Sequence, residues 1–277
     1  MITNILFPTD FSDNAWSAAV YALQLYKEEE CKFYFLHSIK LTVSTMSNLS
    51  NKLLKVMADN ALKELNDLKT LAEDSNTNAN HEFEIILSTD DLQKAIDASI
   101  QKYDIDITVM GTKGSAGAKG FLFGSQTVRV INKIKNCPVL IIPEEFDFVK
   151  PTQIAFPTDF NRFYGEETLN IKRLAELYNS KIRILHINEE DKLTHLQENN
   201  LEMLKTYFTN YAYSFHWMPD YAKKTQEIND FIEELDINIL VMINYKHSLI
   251  EKIIKEPVIT KIGFKPLVPV LVIPCTT

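Results

Sequence analysis

A five-residue phrase occurs twice in this chain, and that recurrence narrows the range of folds more than any other feature. Phe7-Pro8-Thr9-Asp10-Phe11 returns as Phe156-Pro157-Thr158-Asp159-Phe160, about half of the 277-residue chain later. Leu36-His37 is matched by Leu185-His186 at the same offset, and Pro138-Val139-Leu140-Ile141-Ile142-Pro143 by Pro269-Val270-Leu271-Val272-Ile273-Pro274. Order and spacing survive together, so the chain reads as two copies of one unit. The length agrees, since roughly 150 residues is an ordinary domain. The offset shrinks toward the C-terminus, so the second copy is shorter in its middle. Glu144 to Pro151 reads as the linker and divides the chain into domains 1–147 and 148–277.

Within the first copy, β-branched and aromatic runs predict strands at Ile2–Phe7, Lys32–Ser38, Glu82–Leu87, Asp106–Met110 and Val139–Ile142. Between them, apolar residues at three- and four-residue spacing predict amphipathic helices over Asp13–Tyr26, Asn51–Ala72, Leu92–Lys102 and Ser125–Lys135. Such alternation implies right-handed βαβ crossovers and a parallel sheet with helices on both faces, an α/β fold of Rossmann-like type in each domain. The second copy repeats the plan with strands at Gln153–Phe156, Lys181–Ile187, Tyr211–Met218, Ile237–Ile243 and Val270–Ile273. The two final strands are apolar sheet edges, and pairing them with each other would satisfy backbone groups that otherwise invite aggregation. An intramolecular pseudo-dimer is therefore expected, with a homodimer left open.

With 45% hydrophobic and 24% charged residues the chain can bury a core. The formal net charge of −8 argues against a general nucleic-acid binder, which needs cationic surface to displace counterions. Met1 to Phe7 runs straight into a β-like segment without a basic stretch or a long apolar run, so neither a secretion signal nor a membrane span is expected and the location read from the sequence is cytoplasmic. Cys31, Cys137 and Cys275 are far apart and never in a Cys-x-x-Cys pair, so they are read as ordinary thiols rather than a zinc site.

Glycine is scarce, yet five of the seven, Gly111, Gly114, Gly117, Gly120 and Gly124, fall in one segment after the fourth strand. Glycine lets a backbone approach a ligand closely, so this cluster between strand and helix implies a loop wrapped around phosphate. The helix starting at Ser125 would offer its N-terminal N–H groups and positive dipole end, assisted by the hydroxyls of Ser125 and Thr127 and the charges of Lys113 and Lys119. The spacing is not a P-loop, since no Gly-Lys-Ser/Thr comes after the glycines, nor the dinucleotide fingerprint after a first strand.

Gly111, two residues, Gly114, nine residues, Gly124-Ser125 resembles the ATP-binding signature of the universal stress protein family, and Pro8-Thr9-Asp10 resembles its first-strand ending. The resemblance covers both copies and implies five parallel strands per domain in the order 3-2-1-4-5, with ligand at the switch point between strands one and four. It implies ATP, with or without magnesium, as the ligand. Asp10 would lie near the ribose or adenine, with Pro8 and Thr9 in the same turn. Ser38 and Met110 would lie beside the base, and Gly111, Gly114, Gly124, Ser125, Gln126 and Thr127 around the phosphates. Ser38 departs from the apolar residue usual there. The implied role is regulatory, with an unidentified protein partner reading the nucleotide state; a slow ATPase or phosphotransferase and a nucleotide-free interaction scaffold are the rival classes.

Other candidates have plainer readings. Asp10 and Asp159 suit turn or capping positions, His37 and His186 suit hydrogen-bonded strand ends rather than metal ligands, and Trp16 and Trp217 suit packing. Lys27–Glu30 and Asp74–His81 read as solvated connections. In the second copy, Met242-Ile243-Asn244-Tyr245-Lys246-His247 stands where the first has Gly111 and Gly114, and Lys255-Glu256-Pro257 stands near the Gly124-Ser125 position. Side chains, an acidic group and a missing N–H all oppose phosphate there, so the second domain is expected to bind no ATP.

Overall fold

The computed structural model describes residues 2–39, 48–112, 124–144, 146–188, 192–218, 224–246, 248, 250–251 and 267–275. The first half runs β1 (Thr3–Pro8), α1 (Asp13–Leu25), β2 (Cys31–Ser38), α2 (Asn48–Ser75), β3 (His81–Ser88), α3 (Leu92–Tyr103), β4 (Ile107–Thr112), α4 (Ser125–Lys133) and β5 (Val139–Pro143). The second runs β6 (Gln153–Pro157), α5 (Glu167–Tyr178), β7 (Lys181–Ile187), α6 (His195–Tyr207), β8 (Tyr213–Met218), α7 (Lys224–Glu234), β9 (Ile239–Asn244) and β10 (Val270–Pro274). All these strands join one sheet in the order β3-β2-β1-β4-β5-β10-β9-β6-β7-β8.

Each half thus has the expected 3-2-1-4-5 order with parallel neighbours. The expected meeting of the final strands is present as well. β5 and β10 pair antiparallel, Ile141 opposite Val270 and Val139 opposite Val272, and every residue of both strands is buried. Joining the two edges converts two five-stranded sheets into one continuous sheet without an exposed edge at its centre. Buried side chains form one cluster on each face of that sheet.

Several expected element ends shift by a few residues for local reasons. β1, β5, β6 and β10 each run one residue further, onto a proline, which stops the ladder because it has no N–H to donate. β9 starts at Ile239 rather than Ile237 because the Ile237 amide donates to the Ile232 carbonyl (3.0 Å) and Asp236 turns left-handed (φ 48°) to end α7. β8 starts at Tyr213 because the Tyr211 amide is spent on the Phe208 carbonyl (2.8 Å). α4 stops at Lys133, where Ile134 is already extended.

The repeated phrase is a repeated turn. After the proline, the Thr9 hydroxyl accepts from the Phe11 amide (3.0 Å) and the Asp10 carboxylate from the Ser12 amide (3.2 Å). Thr158 and Asp159 do the same for Phe160 (3.1 Å) and Asn161 (3.0 Å). Both turns force a phenylalanine into the left-handed region, Phe11 at φ 62° and Phe160 at φ 54°, where a bulky side chain is strained. The compensation is the same in each half: the ring lies against a histidine, Phe11 on His37 (4.4 Å) and Phe160 on His186 (4.8 Å). Each histidine in turn donates through Nδ1 to the threonine carbonyl, His37 to Thr9 and His186 to Thr158, both at 2.8 Å. The Phe-Pro-Thr-Asp-Phe and Leu-His repeats are therefore two parts of one packed device.

Candidate functional site

The C-terminal ends of β1 and β4 diverge at the switch point of the first half, where crevices form in open parallel sheets. A cleft of about 610 Å³ opens there. Pro8, Thr9, Asp10, Ser38, Met110, Gly111, Gly124, Ser125, Gln126 and Thr127 all line it, so sequence positions more than a hundred residues apart meet at one site. Gly114, with Gly117, Gly120, Lys113 and Lys119, lies outside the described residues.

The floor and the rim have different jobs. Asp10 sits on the rim, its carboxylate accepting from both the amide (3.2 Å) and the hydroxyl (2.5 Å) of Ser12. Ser12 in turn caps α1 through the Ala15 amide (3.3 Å). Ser38 faces the cleft but its hydroxyl donates to the Asp90 carbonyl (2.5 Å), which ties β2 to the β3–α3 connection. Met110 is buried beneath, among the apolar residues under α3 and α4.

Gly111 has a steric reason to be glycine besides any approach of phosphate. A Cβ there would lie 2.4 Å from the main-chain oxygen of Asn14, in the first turn of α1. The Asn14 side chain also closes on the strand. With its amide oriented to match, it meets the Thr112 N–H (3.2 Å) and C=O (3.3 Å). Gly111 therefore lets α1 begin immediately beside β4.

At the other wall, Gly124 is the N-cap of α4 and supplies no side-chain cap, whereas α1, α3 and α6 are capped by Ser12, Asp91 and Thr194. The amides of the first helical turn, Ser125 to Thr127, point toward the cleft end, where the dipole favours an anion. The Gly124 N–H itself is engaged, donating to the Thr112 hydroxyl (3.0 Å). A Cβ at Gly124 would meet nothing closer than 3.8 Å, so open space, not crowding, surrounds it.

Sequence reasoning missed Asn14, Thr112, Asp91 to Gln93 and Arg129, which also line the cleft. Arg129 was detectable, being four residues after Ser125 and so on the same helix face. Thr112 was detectable as well, being next to Gly111, whereas Asn14 and the α3 start reach the cleft through tertiary packing and left no local signal. Among the described residues no group of three or more His, Cys, Asp or Glu could hold a metal ion. No described helix is long and apolar enough to cross a membrane.

The equivalent place in the second half is rebuilt. Strand register matches Ile243, opposite Ile273, with Gly111, opposite Ile142. α5 does not begin beside it, because 161–166 turn away and the helix starts only at Glu167. Tyr245, just past β9, donates its hydroxyl to Asp159 (2.8 Å), and Thr158 donates to Tyr164 (2.9 Å). The Arg162 guanidinium lies over both rings, 5.2 Å from Tyr245 and 5.8 Å from Tyr164, and pairs with buried Glu167 (2.9 Å). Burial, then neighbouring Tyr164 and Asp159, drive the Tyr245 phenol far above its usual range, and burial pushes Tyr164 up to about 12. What remains is a cavity of about 80 Å³. His247 and the Lys255-Glu256-Pro257 segment lie outside the described residues.

Comparison with known proteins agrees with this geometry. A family model described as the universal stress protein family matches residues 1–143. A universal stress protein of Methanocaldococcus jannaschii is 31% identical over 148 residues, covering 50% of this chain and 80% of that protein. A second from the same organism is 26% identical over 159 residues, covering 51% of this chain and 95% of its own. Over its whole length, the chain superposes on the crystal structure of a universal stress protein from Archaeoglobus fulgidus with a TM-score of 0.73. That match covers 98% of each chain at 19% identity, a likeness of fold.

Proposed function

The chain belongs to the universal stress protein family, and from that premise we propose that its first half binds an adenine nucleotide, ATP, while its second half binds none. The observation that carries this reading is the cleft at the switch point, into which the N-terminus of α4 opens without a side-chain cap. Phosphate would lie against the Ser125 to Thr127 amides, the kind of anion site that a helix N-terminus beside a glycine-rich loop provides. Magnesium, if it accompanies the nucleotide, would be held chiefly by phosphate oxygens and water, as is usual for this ion. In the second half, Tyr245 on Asp159 and Ile243 at the Gly111 position occupy the corresponding space.

The role we propose is regulatory binding rather than turnover. Asp10 is engaged by Ser12, which weakens its case as a base for activating water. Nucleotide occupancy would change the surface offered to a protein partner. Calorimetric titration tests the reading: one ATP per chain is expected, with a stabilisation of roughly 2.7 kcal/mol at a hundredfold excess over the dissociation constant. Gly124→Glu adds a negative side chain in open space, so it should remove binding and leave the fold intact. Unchanged binding in that variant, two equivalent sites per chain, or ATP-dependent phosphate release would each refute the corresponding part.

A further inference from the structure

We propose that Arg129 makes the first-half cleft discriminate nucleotides by phosphate number, by pairing with the outer phosphates of a triphosphate. This rests on the nucleotide reading above and adds to it a specificity residue outside the glycine-serine signature.

Arg129 lies on α4 and lines the cleft together with Ser125 and Gln126. Helical spacing places it one turn behind Ser125 and between the directions of Ser125 and Gln126. Long helical side chains lean back toward the N-terminus, so its guanidinium reaches the end of the helix where the uncapped amides are. It is exposed, and among the described residues it makes no hydrogen bond or ion pair. Its neighbours are already engaged. Gln126 accepts from Gln93 of α3 (3.4 Å), and Asp91 caps α3 through the Lys94 amide (3.2 Å) and faces the Lys94 ammonium (3.7 Å).

The charge balance of the described lining favours such a group. The cleft lining includes the carboxylates of Asp10 and Asp91, and Arg129 is the one lysine or arginine among the described lining residues. A monophosphate brings one phosphate to the helix amides, whereas a triphosphate brings further charge beyond them, within reach of a long side chain on α4. A guanidinium suits that position because it stays charged and forks onto two phosphate oxygens.

Titration of the full chain and of Arg129→Gln with AMP, ADP and ATP, each with and without magnesium, tests the assignment. Arg129→Gln should lower ATP affinity about tenfold, or 1.4 kcal/mol, lower ADP affinity less, and leave AMP unchanged. Arg129→Lys should recover part of the ATP loss, and inorganic triphosphate should compete with ATP less well in the Gln variant than in the parent. Equal losses for all three nucleotides, or an unchanged ATP-to-AMP affinity ratio, would overturn the role of Arg129 while leaving the nucleotide site standing. A parent protein that binds none of them would overturn the site itself, and the specificity with it.

Discussion

In the first half α1 begins directly after the Thr-Asp-Phe turn, and its Asn14 carbonyl presses on Gly111; in the second half the chain wanders from Asn161 to Glu166 before α5 starts, and a buried isoleucine, Ile243, stands at the Gly111 position. The turn itself is the same in both. Thr9, Asp10, Phe11 and His37 repeat as Thr158, Asp159, Phe160 and His186 with matching hydrogen bonds, ring contacts and left-handed φ. The two halves separate two requirements that the sequence merges. The five-residue phrase is maintained by packing in a half that has lost its open cleft, so its presence does not mark a site. Whether a cleft opens depends instead on where the first helix starts and on the residues after the fourth strand, giving about 610 Å³ in one half and about 80 Å³ in the other.

The largest expected effect concerns the shared turn. Phe160 is fully buried between His186, Phe215 and Trp217, whereas Phe11 is only partly buried. Phe160→Ala should cost about 3–5 kcal/mol, the range for deleting a buried ring, and Phe11→Ala roughly half as much. Urea denaturation of the two variants reads the difference directly. Equal losses would mean that the halves use the turn alike and that the contrast lies elsewhere.

Gly111→Ala comes next and acts on the contrast itself. The added methyl meets main-chain atoms of Asn14, which cannot swing aside as a side chain would. The start of α1 must move, at a cost of about 2 kcal/mol, typical of overpacking, and ATP binding should fall with it. Full stability with full binding would show that α1 is not held where its contact with Gly111 implies.

Tyr245→Phe tests the closed half. Loss of the hydroxyl bond to Asp159 should cost about 1 kcal/mol near neutral pH. The phenol is held above its usual value in the folded state, so its contribution is fully present below the unfolded value near 10 and fades as pH rises toward the folded one. Above pH 10 the unfolded state releases a proton that the native state keeps, and stability falls with pH. The variant should therefore show a shallower alkaline decline than the parent, measured by denaturation at about pH 8 to 11; parallel curves would remove Tyr245 from that linkage.

Most of the fold was legible because it is written in local pattern: alternating runs, helix periodicity, and a repeat that aligned the halves. The β5–β10 junction was legible too, since two apolar edge strands in one chain have an obvious mutual solution. The site was legible where its residues are neighbours in sequence, in Pro8 to Asp10 and Gly124 to Thr127. It was not legible where distant elements close on it. Nothing near Gly111 announces that Asn14 lies against it, and nothing near Asp159 announces Tyr245. The late start of α5 also had no sequence signal, because Glu166 and Glu167 suit a first helical turn regardless of where the preceding chain goes.

The smallest expected effect asks whether the halves are held together by charge. Arg173 of α5 faces Asp106, just before β4, at 3.5 Å, and this ion pair crosses between the halves. Both partners are reached by water, Arg173 with 62% of its side chain exposed, so the pair gains little from Coulomb attraction and is screened by salt. Asp106 also has a task of its own, accepting from the Asn4 amide (3.0 Å), and needs no arginine to be held in place. By contrast, the β5–β10 ladder is buried along its whole length, Phe148 packs against both Tyr21 (5.3 Å) and Tyr178 (6.1 Å), and the Tyr178 hydroxyl donates to the Gln24 carbonyl (2.8 Å). Apolar burial and backbone pairing should therefore dominate the junction. Arg173→Ala should shift stability by about 0.5 kcal/mol or less at low ionic strength and by nothing measurable in about 1 M salt, with unfolding remaining a single transition. A loss above about 1 kcal/mol, or separation into two transitions on removing this one charge, would show that the junction depends on the surface pair after all.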